Sequence, residues 1–417
     1  MSSNYNRRKF LGTLSASTAG GLLLNTLSPF TQANAQAHSL STKGGTGNEY
    51  LFEEGLTYMN TGTLGPCRRE TIEETLTQWQ GLESLPLKFY GIWGAEALAE
   101  RTRTTAARFL GCDVSEMMIT NSTTNGMNAV AQGLRLKAGD RILISDQEHS
   151  GGLLGWSYYA KYSGVIIDTI VIPPGENDAN AILNRLKDNI RKETRLISLS
   201  HVFSSTGLRM PVAEIAALAH SKGILCIVDG AQSAGAIKVN VKELGCDAYA
   251  TSGHKWLMGP KGTGLLYLSK NAQDIIRPMQ FEENHNTYTD ANGVVNLPGI
   301  LGLSKAIEYL ESVGISKVEE HNMALRNSLY KKISGIKKLK IMSPPPESPL
   351  ASPMLAVLLP DPLIKTEFSK MLYDKYKISA RATHKQWFNG IRFSLHTFNT
   401  EKDVDLAAEA LRKELGT

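Results

Sequence analysis

The feature of this chain that most limits its fold is a regular alternation of short apolar runs and helical patterns, beginning at Met117. Seven runs have the composition of strands, and helical patterns such as residues 179–191 and 212–222 separate most of them. Alternating strands and helices predict an α/β fold, with a mainly parallel sheet and helices on both faces. The predicted strands are residues 118–120, 141–145, 165–172, 196–200, 224–228, 248–250 and 264–268.

The pattern changes after residue 300, where two helical stretches follow each other without a strand between them. Strand-like runs at residues 353–359 and 391–395 and a closing helix at 403–415 complete this region. We therefore predict a large domain over residues 58–300 and a smaller C-terminal α+β domain over residues 301–417.

Polar clusters follow five of the predicted strands. Ligands of parallel α/β sheets bind beyond the carboxyl ends of the strands, so these clusters are expected to meet at one edge. The convergence predicts a binding site there. The clusters are residues 121–125, 146–150, 201–206, 229–232 and 252–255.

Lys255 is the strongest single candidate for chemistry. It lies in Ser252-Gly-His-Lys255, a turn between two apolar runs, where little water surrounds the amine. Desolvation lowers the pKa of a lysine and exposes the nucleophilic amine that a Schiff-base lysine needs. An ordinary solvated turn lysine is the alternative interpretation. About twenty residues earlier, Asp229 ends an apolar strand, and such a buried carboxylate needs a partner.

Residues 121–126, Asn-Ser-Thr-Thr-Asn-Gly, end a predicted strand and open a helical pattern. Backbone N–H groups and the helix dipole at such a position favour a phosphate, and the hydroxyls of Ser122, Thr123 and Thr124 add donors. A plain helix N-cap is the alternative.

The first 37 residues have the composition of a targeting segment. Arg7, Arg8 and Lys9 precede a mild apolar stretch, and two small-residue cleavage sites end at Ala35 and Ala37. This pattern predicts a twin-arginine signal peptide over residues 1–37, followed by a flexible segment over residues 38–57. The protein is then expected in the bacterial periplasm after passage through the twin-arginine export machinery. The apolar stretch is too short and too diluted to favour a stable membrane anchor.

Charge and cysteine content exclude several functions. The formal net charge is +5, and three of these charges belong to Arg7, Arg8 and Lys9, so no basic patch predicts nucleic-acid binding. The four cysteines form no CxxC pair, so we expect no metal site. Cys226 lies in an apolar run and is predicted to be a buried thiol. The periplasm permits disulfides, and three complete pairings remain open.

Residues 228–232, Val-Asp-Gly-Ala-Gln, and residues 252–255, Ser-Gly-His-Lys, together resemble the class V branch of the fold-type-I enzymes that use pyridoxal 5'-phosphate. The resemblance extends from about Tyr58 to the C-terminus, and its isopenicillin N epimerase-like members are the most similar. It implies a seven-stranded, mainly parallel sheet with a smaller C-terminal domain. It also implies a homodimer, although Val294 replaces a threonine that in many relatives reaches the phosphate of the neighbouring subunit.

The resemblance assigns the cofactor-binding residues. Lys255 is implied as the Schiff-base lysine and Asp229 as the partner of the pyridine nitrogen. His149 is implied to stack on the ring, and Gln232 to bond its phenolic oxygen. The phosphate and ring edge are implied to contact Thr123, Thr124, Ser204, Ser252 and His254.

The resemblance also assigns the substrate-binding residues. Arg392 corresponds to the arginine that grips the substrate α-carboxylate, Arg381 is a second candidate, and Asn60 lies in a segment implied to be near the substrate. Desulfurases of the family carry a nucleophilic cysteine between these two arginines, but residues 383–390 contain none. A sulfur relay therefore lacks its nucleophile in this chain.

These observations predict a periplasmic class V aminotransferase that acts on an amino-acid or peptide-derived amine, including a siderophore precursor. Freed Lys255 is expected to act as the general base at the α-carbon. An isopenicillin-N-epimerase-like epimerase or racemase and a carbon–sulfur lyase are the alternatives, because all three reactions begin with the same proton abstraction. A non-catalytic binding protein on the same fold is the remaining possibility from another class.

Overall fold

The computed structural model describes residues 49–89, 95–279, 293–384 and 386–416. The N-terminal part contains strand β1 (Thr57–Tyr58) and helices α1 (Arg69–Ser84), α2 (Pro86–Phe89) and α3 (Ala95–Leu110). Residues 1–48, which include the predicted signal peptide, lie outside the described residues. The end of the segment predicted to be flexible is packed, because Tyr50 is buried and stacks on Phe52 with ring centroids 5.6 Å apart.

A seven-stranded sheet forms the centre of the protein. Its strand order is β2-β8-β7-β6-β5-β3-β4. The five strands β3 to β7 run parallel, as predicted, while β8 and β2 join antiparallel at one side. The strands are β2 (Met117–Thr120), β3 (Arg141–Ser145), β4 (Ile166–Ile170), β5 (Thr194–Ser200), β6 (Leu225–Asp229), β7 (Ala248–Ser252) and β8 (Gly264–Leu268).

Helices connect these strands and cover the sheet, as the alternating pattern predicts. Every residue of β7 and β8 is buried, which explains why these strands are continuous apolar runs rather than alternating patterns. The connecting helices are α4 (Thr123–Gly133), α5 (Ser150–Ser163), α6 (Ala179–Asn189), α7 (Val212–His220) and α8 (Val241–Leu244).

The C-terminal region begins with two long helices, α9 (Leu297–Val313) and α10 (Ile315–Ile333). Helix α9 packs against α1 and α3, and the predicted domain boundary between residues 300 and 301 lies inside this continuous helix. A four-stranded antiparallel sheet follows, with the order β12-β13-β10-β9. Its elements are β9 (Lys340–Ile341), β10 (Met354–Leu358), α11 (Lys365–Tyr376), β12 (Arg381–Ala382), β13 (Gly390–Ser394) and the closing helix α12 (Glu401–Leu415).

The N-terminal strand joins this C-terminal region. Strand β1 pairs in parallel with β11 (Ile378–Ser379), and Asn60 forms an isolated bridge with Ser394. The segment after β1 is thereby fixed against β13, at the side of the C-terminal sheet that faces the predicted site.

No helix among the described residues is long and apolar enough to cross a membrane. The four cysteines are free thiols, and Cys226 is buried in β6 as predicted. No Sγ–Sγ bond joins any two of them.

Candidate active site

A pocket of about 240 Å³ lies beyond the carboxyl ends of the parallel strands. All five predicted polar clusters contribute to it, together with the segment after β1 and the C-terminal residues 381–392. The predicted residues that line it are Thr123, Thr124, His149, Ser204, Asp229, Gln232, Ser252, His254, Lys255, Arg381 and Arg392.

Lys255 lies in the turn between β7 and β8 and is half-buried. The turn packs very closely against Gly65, whose N–H donates to the His254 carbonyl at 2.8 Å. A Cβ atom at Gly65 would lie 1.8 Å from the Lys255 carbonyl oxygen, so only glycine permits this approach. Burial lowers the pKa of the Lys255 amine to about 8, the Asp229 carboxylate opposes the shift, and Arg392 and Arg381 add to it.

Asp229 ends β6, and its side chain is buried. Its Oδ1 accepts a hydrogen bond from the Ala231 N–H at 2.9 Å. Burial raises the pKa of the Asp229 carboxyl, while the charge of Lys255 and the Ala231 N–H partly offset the shift. A Cβ at Gly152 would lie 2.8 Å from Oδ2, so the start of α5 leaves room for this carboxylate.

Gln232 is held in one orientation by three segments of the chain. Its Nε2 donates to the Gly62 carbonyl at 2.8 Å, and its Oε1 accepts from the indole N–H of Trp256 at 2.8 Å. A longer contact of 3.5 Å joins Nε2 to the Ser204 hydroxyl. Because the contact with Ser204 is long, one N–H of this amide remains available to a partner such as a phenolate oxygen.

The opposite end of the pocket is built to receive an anion. Helix α4 begins here, with Ser122 as its N-cap accepting from the Asn125 N–H at 3.1 Å. Ser252 joins the helix to the lysine turn, because its hydroxyl accepts from the Thr123 N–H at 3.0 Å and lies 2.8 Å from the Thr123 hydroxyl. Thr124 also lines the pocket. The helix N-terminus and several hydroxyls thus surround one position, which suits a phosphate.

His254 adds a further polar atom at this end, because its buried Nδ1 has no hydrogen-bond partner among the described residues. Desolvation, together with the charge of Lys255, lowers the pKa of the His254 imidazole. The unpaired Nδ1 is therefore available to a polar group bound in the pocket that His254 lines.

His149 caps helix α5 and lines the pocket, with its Nδ1 accepting from the Gly151 N–H at 3.1 Å. The residue as a whole is exposed, yet its pocket-facing ring is partly desolvated and feels the charge of Lys255, and both effects lower the pKa of its imidazole. A neutral, orientated ring is suitable for stacking on an aromatic cofactor.

Glu148 was not predicted from the sequence. It is buried behind His149, and its carboxyl accepts from the Ser145 hydroxyl at 2.5 Å, from the Ser200 N–H at 2.8 Å and from the Ser200 hydroxyl at 2.6 Å. Burial raises the pKa of Glu148 to about 7. Because Ser200 pairs with Asp229 across β5 and β6, the carboxyl fixes the wall beside Asp229.

Arg392 projects from β13 and is buried. One terminal nitrogen donates to the Ser204 carbonyl at 3.0 Å and to the Ser204 hydroxyl at 2.6 Å, and the other donates to the Thr63 hydroxyl at 3.1 Å. The Nε atom is buried without a hydrogen-bond partner in the described part of the chain. Burial and the charge of Arg381 lower the pKa of Arg392 to about 9, so the guanidinium stays charged at neutral pH.

Ser204, predicted to bind the cofactor, thus lies mainly against the guanidinium of Arg392. Asn60 does not line the pocket but a neighbouring cleft, and it supports the site indirectly because its Oδ1 accepts from the Thr63 hydroxyl at 2.6 Å. Arg381 lines both the pocket and that cleft and is exposed.

The loop between the two arginines is held firmly. The Lys365 ammonium donates to the carbonyls of His384 and Phe388 at 2.9 and 3.1 Å, and the Asn389 amide donates to the Leu363 carbonyl at 2.7 Å. Gln386 reaches back from this loop to donate to the Glu148 carbonyl at 3.2 Å. The loop therefore forms a fixed outer wall.

Residues that were not predicted from the sequence also line the pocket, among them Gly62, Thr63, Thr383, His384 and Trp387. The Asn-Thr-Gly-Thr run at residues 60–63 was noted as near the substrate, but its contact with Arg392 joins positions 329 residues apart. Only the polar and aromatic composition of residues 383–388 could have indicated the outer wall.

These residues fit pyridoxal phosphate. The orphaned Nδ1 of His254 and the hydroxyl-rich start of α4 suit its phosphate, and the buried carboxyl of Asp229 suits its ring nitrogen. Gln232 presents a donor, and the amine of Lys255 is the nucleophile for its aldehyde. No group of histidine, cysteine and acidic side chains in the described part of the chain has the arrangement of a metal site.

Residues 69–406 match the family described as Aminotransferase class-V, so the chain belongs to that family. Isopenicillin N epimerase of Amycolatopsis lactamdurans is 28% identical over 390 residues, which cover 87% of this chain and 96% of that protein. The epimerase of Streptomyces clavuligerus is 27% identical, covering 87% and 95% respectively. A probable cysteine desulfurase of Halalkalibacterium halodurans is 29% identical, covering 75% and 81%.

Solved structures match the fold. The apo structure of cysteine desulfurase from Thermococcus onnurineus NA1 has a TM-score of 0.76 at 24% identity, covering 90% of this chain and 99% of that one. The cystine C–S lyase C-DES in complex with cysteine persulfide also has a TM-score of 0.76, covering 86% and 98%. The predicted fold is confirmed: a fold-type-I architecture with a seven-stranded sheet and a smaller C-terminal region.

Proposed function

We propose that this chain is an enzyme that removes the α-proton of an amino compound and returns a proton to the opposite face of the same carbon, as an epimerase or racemase does. The observation that carries the proposal is that Lys255, Asp229 and Arg392 line one pocket. The full-length likeness to isopenicillin N epimerases supports this choice over amino transfer, which the sequence alone favours.

The cofactor is pyridoxal phosphate. A structural neighbour, a C-DES variant, holds glycine covalently linked to this cofactor, and this chain has residues suited to each of its functional groups. When bound, the cofactor withdraws electrons from the α-carbon of the attached amine.

The chain's own residues supply orientation and proton transfer. Arg392 binds the α-carboxylate of the substrate, because its buried guanidinium is fixed by Ser204 and Thr63 and has an unpaired Nε. Asp229 keeps a proton on the nitrogen opposite to it. The Lys255 amine, with a pKa lowered to about 8, takes the substrate proton near neutral pH. Inversion then requires that a proton from solvent be added to the opposite face of the α-carbon.

Amino transfer is the second candidate. It needs the same base and differs in where the proton is returned, so the contacts of Lys255 suit it equally. A carbon–sulfur lyase is the third, supported by the likeness to C-DES. A desulfurase that relays sulfur through a cysteine has less support, because residues 383–390 contain no cysteine.

The test is incubation of the holoenzyme in heavy water with amino acids of both configurations and with dipeptides, with and without pyruvate. Deuterium at the α-carbon with inversion, read by chiral chromatography and mass spectrometry, is the expected result. Keto acid and alanine formed only with pyruvate would establish amino transfer, and ammonia would establish lysis. Absence of deuterium from every compound would overturn the proposal.

We further propose that the enzyme works in the periplasm as a homodimer, with no nucleic-acid partner and no stable membrane anchor. The twin-arginine motif at Arg7 and Arg8 supports this location, because that route exports folded proteins with their cofactor in place. Fractionation of cells with the wild-type and the Arg7→Lys, Arg8→Lys chain tests it: loss of periplasmic protein in the double variant is expected.

A further inference from the structure

A second cavity of about 610 Å³ opens beside the pocket and is here called the outer cleft. It is lined by polar residues that include Asn60 and Ser379, and it shares Arg381, Thr383 and His384 with the pocket. The pocket and the outer cleft therefore adjoin, and Arg381 lies at their common border.

Two arginines lie next to each other where the pocket meets the outer cleft. Arg381 and Arg392 are paired directly across β12 and β13, so their side chains start from the same face of the sheet, about 5 Å apart at Cβ. Like charges at this spacing destabilise each other unless anions lie beside them. Among the described residues that line the pocket, Asp229 is the only carboxylate, and it ends β6 on the opposite wall.

The two guanidinium groups differ in depth. Arg392 is buried, bonds to Ser204 and Thr63, and lines only the inner pocket. Arg381 is exposed, lines both cavities, and has no ion-pair partner in the described ranges. The two guanidinium groups therefore lie at different depths, one inside the pocket and one at its border with the outer cleft.

Two further polar atoms at the outer position lack partners. The Nδ1 of His384 and the Nε1 of Trp387 are buried, line the pocket side by side, and form no hydrogen bond with any described residue. A buried N–H without an acceptor is costly, so a ligand oxygen is the natural partner of the indole. Because Lys365 fixes the loop that carries both residues, the donors are already in place before a ligand binds.

We propose, on the basis of the function proposed above, that the substrates are amino compounds with two carboxylates. Arg392 holds the α-carboxylate, and Arg381 with the Trp387 indole holds the second, distal carboxylate. Substituents beyond the second carboxylate extend into the outer cleft. Arg381 is thus the residue that determines specificity, and it selects acidic over neutral side chains through charge-assisted hydrogen bonds.

The test is calorimetric titration of the holoenzyme, in phosphate-free buffer, with butyrate and with glutarate. These two ligands have the same chain up to the second carboxylate and contain no amine to react. We expect glutarate to bind the wild type at least about tenfold more tightly, the value of one hydrogen-bonded charge pair. In Arg381→Met the advantage should fall below about twofold while butyrate binding is unchanged, and Arg381→Lys should restore part of it.

Arg135→Met is the matched control, because Arg135 is exposed and does not line either cavity; it should bind both ligands as the wild type does. Equal affinities for the two ligands in the wild type, no measurable glutarate binding, or equal losses of both ligands in Arg381→Met would overturn the proposal. The titration needs no turnover. A preference for glutarate without proton exchange would therefore reject the proposed reaction and support the second carboxylate site. Proton exchange without that preference would support the proposed reaction and reject the second carboxylate site.

Discussion

The pocket has two walls of different origin. The inner wall consists of Asp229, Lys255 and the start of α4, all at strand ends of the seven-stranded sheet. The outer wall consists of Arg381, the loop after it and Arg392, all from the C-terminal sheet. The inner wall has what the cofactor's own groups require. The outer wall carries the two arginines proposed to bind the substrate, and residues 383–390 within it contain no cysteine.

The largest loss of turnover is expected from Lys255→Ala, a change in the inner wall. Loss of the amine removes both the covalent attachment of the cofactor and the base, so turnover should fall at least about a thousandfold. Borohydride treatment followed by peptide mass spectrometry should find the pyridoxyl group on Lys255 of the wild type and not in the variant. Lys270→Ala, which removes an exposed lysine beyond β8, should behave as the wild type. A variant that keeps its turnover would contradict the mechanism.

Arg392→Met is expected to affect the outer wall alone. Removing the carboxylate's partner should lower kcat/KM by about a hundredfold, mainly through KM, because a charge-assisted pair is lost. The absorbance of the bound cofactor should remain, since Arg392 forms its hydrogen bonds with Ser204 and Thr63 and not with Asp229, Lys255 or the start of α4. If the cofactor were released as well, the two walls would not be separable.

Gly65→Ala tests the packing that joins the segment after β1 to the lysine turn. The new Cβ would collide with the Lys255 carbonyl oxygen at 1.8 Å, so the turn must move. Overpacking of this kind costs about 2 kcal/mol of folding stability, measurable as a lower free energy of unfolding in urea. Gly335→Ala is the control, because nothing lies within 4 Å of its Cβ position. Equal stabilities would show that the turn yields without cost.

The smallest expected effect is on the pH dependence of cofactor attachment. The walls are linked here because the charges of the outer wall change the pKa of Lys255 in the inner wall. Because the pKa of the Lys255 amine in the cofactor-free protein is lowered to about 8, the neutral, reactive fraction falls about tenfold for each pH unit below that value. The rate of cofactor attachment, followed by absorbance, should therefore rise between pH 7 and 8 and level off above 9. Arg381→Met removes one charge that lowers this pKa, so its curve should shift to higher pH. A rate independent of pH would reject the lowered pKa.

The inner wall was predictable because its residues obey a local rule. Asp229 and Lys255 each follow an apolar run, and strand ends of a parallel sheet meet at one edge whatever the exact packing. The boundaries of β3 and β8 also agree with the sequence, since buried apolar runs are local signals.

The outer wall was less predictable. Thr63 reaches Arg392 only because β1 pairs with β11, and no local pattern specifies a two-residue parallel pairing. Glu148 precedes the predicted His149, but its burial depends on Ser145 and Ser200 from two other strands. Trp387 and His384 lie on a loop whose shape is set by Lys365, a contact between side chain and backbone that composition does not reveal.

The pairing of Thr57 and Tyr58 with Ile378 and Ser379 has a consequence for the order in which the protein becomes active during synthesis. The seven-stranded sheet ends at Leu268, so its strands leave the ribosome long before residues 378–394 are made. A nascent chain can thus form the cofactor-binding side of the pocket before Arg392, the partner of Thr63, has been made. The arginine side of the pocket is therefore completed only after residues 378–394 have been made.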